Sequence, residues 1–120
     1  MLTREDVLQY IKKTYDTEPH YLWKKFPDYA VFKHTSDEKK WYGIVMNVLP
    51  EKLGLEGEEE MDVLELKSPP ELNGSLKERN DITEAYHMNK EHWISIILSQ
   101  VNEITDIEQL IKTSFDLTKD

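Results

Sequence analysis

Apolar residues near the start of the chain recur at helical spacing. Val7, Leu8, Ile11 and Tyr15 form one stripe, with Arg4, Glu5, Gln9, Lys12 and Lys13 between them. Thr3 followed by Asp6 resembles a capping box, and Glu18-Pro19 closes the helix because the residue before proline avoids helical dihedrals. The period then shortens to two. Residues 20–23 read as a short strand, 24–28 as a turn, 29–34 as an aromatic and β-branched strand, and 35–40 as a hairpin loop. Residues 41–49 form the next strand. There Tyr42, Ile44, Met46 and Val48 point one way, and Trp41, Gly43, Val45 and Asn47 the other; the first set is the expected core face.

The second half repeats the alternation of periods. A connection over 50–60, rich in Glu and Gly, leads to a strand over 61–67 with Leu64 and Leu66 on one face. Ser68-Pro69-Pro70-Glu71 predicts a helix start: Ser68 as cap, Pro69 at the first helical position, Glu71 closing the box. Leu72 and Leu76, one turn apart, are expected to face the sheet. Gly74 weakens this helix by about 1 kcal/mol relative to Ala, and a close approach to a strand would account for it. Residues 82–98 hold the last strands. Ile94, Ile96 and Leu98 alternate with Trp93, Ser95 and Ile97, so both faces are apolar and the strand is expected to be interior. Thr105 with Glu108 forms a second capping box, before a stripe of Ile107, Leu110, Ile111 and Phe115 or Leu117. This order, with short loops between strands, predicts one α+β domain over 1–120: two layers, an antiparallel sheet of about five strands, and helices packed on one face.

Composition narrows the chemistry. The 120 residues contain no Cys, which excludes disulfides, thiolate metal sites, Cys nucleophiles and thiol redox roles. No apolar run is long enough for a membrane helix, and the first residues lack a signal-peptide pattern, so no membrane partner and a cytoplasmic setting are expected. The net charge is −9, unevenly spread. Residues 23–48 are net positive through Lys24, Lys25, Lys33, Lys39 and Lys40, whereas 49–61 concentrate five acids against one lysine. The total opposes long-range approach of a polyanion, although screening over about 8 Å leaves the local field to act at contact.

Catalytic signatures are missing. Ser75, Ser95 and Ser99 sit in neither a nucleophile elbow nor an S-x-x-K box, and no phosphate-binding glycine loop occurs. The acidic run Glu58-Glu59-Glu60 with Asp62 lacks calcium-loop spacing and reads as a solvated loop. His87 and His92 are five apart, off the i, i+4 spacing of a zinc helix; a site would need Glu91 or His34 as a third donor. No catalytic residue, metal or cofactor is assigned.

The most distinctive stretch is Tyr86-His87-Met88-Asn89-Lys90-Glu91-His92-Trp93. With it come Lys67-Ser68-Pro69-Pro70-Glu71-Leu72 and the strand pair around Val31-Phe32-Lys33-His34 and Lys40-Trp41-Tyr42. Together these resemble the MmcQ/YjbR family of small bacterial proteins over nearly the whole chain. The resemblance implies a compact α+β fold similar to frataxin-like and secretion-chaperone-like two-layer arrangements. It also implies a non-enzymatic protein that binds DNA through a double wing of hairpin loops, here residues 35–40 and the neighbourhood of 87–92.

The candidate binding residues are therefore Lys33, Lys39, Lys40, Lys67, His87, Asn89, Lys90, His92 and Trp93. If the strands bearing Lys33, Lys67 and Trp93 are neighbours, alternation puts a cationic, amide- and indole-bearing surface on the face away from the helices. Such a surface suits phosphate contact and base stacking. It equally suits another protein or a small acidic ligand. The structural alternative is that Trp41 and Trp93 merely cover a bare sheet face, with lysine stems laid over them.

Overall fold

Alternating side chains pair five segments into a single antiparallel sheet. In the computed structural model, which describes residues 1–36 and 38–119, these are β1 (Ala30–Lys33), β2 (Trp41–Val48), β3 (Met61–Lys67), β4 (Ile82–Glu84) and β5 (Trp93–Ile97). Their spatial order is β1-β2-β3-β5-β4. The chain passes from β3 through a helix to the edge strand β4, then returns by a hairpin so that β5 lies between β3 and β4. The expected interior strand is thus β5.

Helices α1 (Arg4–Tyr15) and α3 (Glu108–Thr118) cover one face. Val7 and Ile11 of α1, with Ile107 and Ile111 at α3, pack on Phe32, Leu64, Leu66, Ile94 and Ile96. Each such side chain taken fully from water contributes about 1.5–3 kcal/mol. The short α2 (Pro70–Leu76) adds only Leu76 to this core; Leu72, expected to face the sheet, is exposed. The opposite face carries a second apolar cluster, including Val31, Ile44, Met46, Val63 and Ile97. No α-helix among the described residues covers it. Instead it is roofed by Trp23 from the segment before β1, by Leu53 from a 3-10 turn (Pro50–Leu53), and by Tyr86 and Met88 from the β4–β5 loop.

Both faces of β2 are therefore buried, and its alternation breaks. Lys33 pairs with Trp41 but Phe32 pairs with Gly43, so Tyr42 is the extra residue of a β-bulge. Tyr42 turns to the helix face, where it joins Phe32 and Val45, while Ile44, Met46 and Val48 take the other face. Tyr42 and Ile44 were expected together; the bulge separates them. The β2–β3 ladder stops beside it, at Gly43–Leu66. The hydroxyl of buried Ser114 in α3 closes the gap, donating to the Tyr42 carbonyl at 2.6 Å and accepting from the Lys67 N–H at 2.8 Å.

Local signals were met unevenly. Thr3 and Asp6 form the α1 capping box as expected. Residues 20–23 supply only a single bridge, His20 to Val31. Ser68 does not cap α2, whose N-cap is Pro69 without a side-chain bond; the Ser68 hydroxyl donates instead to Asn73 Oδ1. Thr105 and Glu108 form no box either. Residues Ile104–Asp106 make a 3-10 turn closed by Glu103 and Asp106, and α3 starts only at Glu108. Nothing lies within 4 Å of a Cβ built on Gly74, so no strand approach explains that glycine.

Two substitutions test these local assignments in urea denaturation. Gly74→Ala stabilises the domain by about 0.4–1 kcal/mol, because the methyl enters open space and the unfolded chain loses freedom. Ser114→Ala destabilises it by about 1–3 kcal/mol, because it leaves a buried carbonyl and N–H without their shared partner.

Candidate binding face

Antiparallel pairing brings the C-terminal ends of β1, β3 and β4 and the N-terminal ends of β2 and β5 to one end of the sheet. Both expected wing regions, 35–40 and the neighbourhood of 87–92, lie in connections that leave from that end. The acidic connection 49–60 joins β2 to β3 at the other. Side-chain parity then sorts the faces. Lys33 follows helix-facing Phe32 in β1; Lys67 follows helix-facing Leu66 in β3; Trp93 stands opposite Lys67, and Trp41 opposite Lys33. Lys33, Trp41, Lys67 and Trp93 thus form a row across four strands on the face without helices. Neither Lys33 nor Lys67 has an acidic partner among the described residues.

The remaining candidates do less there. Lys39 and Lys40 lie on the 34–40 turn, where Lys39 adopts φ 47° and Lys40 pairs with Glu38 at 3.0 Å; Asp37 of this loop lies outside the described residues. The Lys90 ammonium folds back onto the Ala85 carbonyl at 2.9 Å. Asn89 organises its own turn, accepting from the Glu91 N–H on Oδ1 at 2.8 Å and from the Trp93 N–H on its carbonyl at 2.9 Å. That turn is pinned to α2, since Asn73 donates to the Glu91 carbonyl and the Ser68 N–H to the His92 carbonyl. His92 is exposed beside Glu91. His34 is buried on the helix face, its Nε2 2.7 Å from the Thr118 hydroxyl, and so is on the wrong side to join His87 or His92. Among the described residues no three acidic or histidine side chains are grouped to hold a metal.

The residue pattern did not reveal what adjoins the row. An apolar cleft of about 240 Å³ opens on the same face. Its floor is Ile44 and Met46; Trp23, Phe26 and Tyr29 form one wall; His87 and Met88 form the other; Trp41 stands at the lysine end. The rings interlock, with Trp23 edge-on to both Trp41 and Tyr29, and Phe26 stacked on Tyr29. His87 reaches the cleft from a left-handed backbone, φ 65°, with its ring 3.8 Å from that of Tyr86. A non-glycine residue in that region is uncommon and worth a functional question.

Beneath the loop lies a second feature hidden from the pattern. Glu65, in the middle of β3, is fully buried. It faces Ser95 across the ladder, accepts the Tyr86 N–H at 2.6 Å, and is hydrogen-bonded to the Ser95 hydroxyl. Burial pushes its carboxyl up to about 8, against the smaller opposing effects of Ser95, the Tyr86 N–H and the Lys90 charge. The group is therefore largely neutral near pH 7. A mid-strand glutamate in a central strand was the signal available for it.

A model of the family described as YjbR matches residues 12–117. The chain belongs to the YjbR family. YyaQ, an uncharacterized protein of Bacillus subtilis (strain 168), is 54% identical over 99% of this chain and 100% of its own length. A crystal structure of a Pseudomonas syringae protein superposes with a TM-score of 0.94 at 47% identity, covering 98% of this chain and all of that one. A Deinococcus radiodurans protein with a DUF419 domain shares the fold at TM-score 0.72 and 21% identity, over 98% of this chain and 78% of that one. The α+β YjbR fold expected from the motifs is thus the observed one. No helix among the described residues is long and apolar enough to cross a membrane.

The Glu65 environment predicts a pH dependence of known sign. Its folded pKa, about 8, lies above its ordinary value of 4.5, so the folded state binds the extra proton between those limits. The stability it confers is complete below about pH 4.5 and declines as pH rises towards 8, by up to about 1.4 kcal/mol per pH unit. Glu65→Gln, which mimics the neutral acid, removes that component of the decline. Urea midpoints measured from pH 5 to 9 for both proteins check this; parallel curves would contradict a neutral Glu65.

Proposed function

We propose that this YjbR protein is a non-enzymatic binding protein that meets DNA at the lysine end of the sheet, on the face without helices. The observation that carries this reading is the shared end and face of Lys33, Trp41, Lys67 and Trp93, flanked by loops 34–40 and 85–92. Strand ends 33 and 67 and these two loops hold five lysines against three acids, in a chain whose net charge is −9. The connection carrying much of the acidic excess is attached at the far end. Ammonium groups next to indoles suit phosphates with a neighbouring base: the cation takes the charge and the flat ring takes the stack. With so few cations in reach, affinity is modest and depends strongly on salt.

Fluorescence anisotropy with labelled duplex and single strands, at low and physiological salt, tests this. Binding weakens linearly with log salt, by about 0.7–0.9 in log–log slope for each phosphate neutralised. The double variant Lys33→Glu/Lys67→Glu loses binding tenfold or more. Lys13→Glu, on the exposed side of α1, leaves it within twofold. Equal loss per reversed charge in the two variants would mean that only net charge matters, and absence of binding at low salt would remove DNA as the partner.

A further inference from the structure

We propose that the cleft between residues 23–29 and the 86–88 loop is a site for one small planar aromatic acid: a fused ring system carrying a single carboxylate or phosphate. The proposal does not depend on DNA contact.

Shape and lining select the ring. At about 240 Å³ the cleft falls just below the usual range for drug-sized ligands, about 300–1,000 Å³. It has room for a flat one- or two-ring body and little more. Rings line most of it, and aromatic pairs favour offset or edge-to-face contact with a guest ring. Met46 and Met88 bring unbranched thioether chains that adapt to a ring edge. His87 adds an imidazole to the walls from a left-handed backbone.

Charge selects the acid. The cleft runs from Trp41 to Met46 along β2, and a charged side chain stands by its Trp41 end. Lys33 stands opposite Trp41 at one end, on the same face and without an acidic partner among the described residues. At the other end the lining residues Tyr29 and Met46 carry no charge. A ligand anion is therefore directed to the Trp41 end, where Lys33 stands. Glu65 lies deeper on this face, enclosed by Tyr86 and Ser95. A ring bearing a cation would meet Lys33 at one end and an apolar floor beneath it.

Three probes with one ring and different charge test the proposal: indole-3-acetate, tryptophol and tryptamine. The readout is the methyl resonances of Met1, Met46, Met61 and Met88 in methyl-labelled protein. Indole-3-acetate shifts Met46 and Met88 at submillimolar concentration and leaves Met1 unmoved. It binds at least tenfold more tightly than tryptamine, with tryptophol between them. Lys33→Gln brings the three probes within threefold of one another while Met46 and Met88 still respond. Met88→Trp, which fills the cleft from its exposed loop, abolishes the shift at Met46. No shift at 5 mM of any probe, or tryptamine binding as tightly as the acetate, overturns the proposal. No nucleic acid is used, so loss of DNA binding and loss of this site are read separately.

Discussion

The hydroxyl of Ser114 between β2 and β3 is the contact on which the lysine-bearing end of this sheet depends. An extra residue at Tyr42 breaks the strand alternation and stops the ladder one pair short of the strand ends. Without another group, the Tyr42 carbonyl and the Lys67 N–H would face each other unpaired in a dry layer. One side chain from α3 serves both, so the helix on one face fixes the strand spacing that the other face displays. The bulge also lets Trp41 keep the company of Ile44 and Met46, despite the odd spacing between them.

Much of this was legible in the pattern. The bounds of β3 emerge from strict alternation, and the interior place of β5 from apolar residues on both sides. The parity of Lys33, Lys67 and Trp93 within their own strands was also readable. Which strands lie side by side was not, because register is a long-range property. The phase of β2 was misread because the bulge is held by a serine 72 residues away. The caps at Ser68 and Thr105 failed for a similar reason: tertiary partners outcompete local ones, and Asn73 takes the Ser68 hydroxyl. Glu65 escaped notice because a charged residue between Leu64 and Leu66 reads as solvent-facing. It is buried because the Tyr86 backbone and the Ser95 side chain close over it.

The loop roof on the face without helices sets the character of the molecule. The helix side is a conventional core, with nonlocal aliphatic contacts and two amphipathic helices. The loop side is assembled from aromatic and methionine side chains on segments tied down by a few bonds: Asn73 to the 90–91 turn, Ser68 to His92, Tyr86 to Glu65. Segments held this way open at lower free energy than the strands below them. The loop on that side is tied to the sheet at the buried Glu65, through the Tyr86 N–H.

The sheet's two borders deserve comparison with its centre. β1 has four residues and β4 three, and His20 exchanges both backbone bonds with Val31 on the outer side of β1. Most of the main-chain polar groups of β2, β3 and β5 are consumed internally, and the rims offer a foreign peptide only a brief template. A chain so defended resists recruitment into intermolecular ribbons, even though its tryptophans are half-exposed.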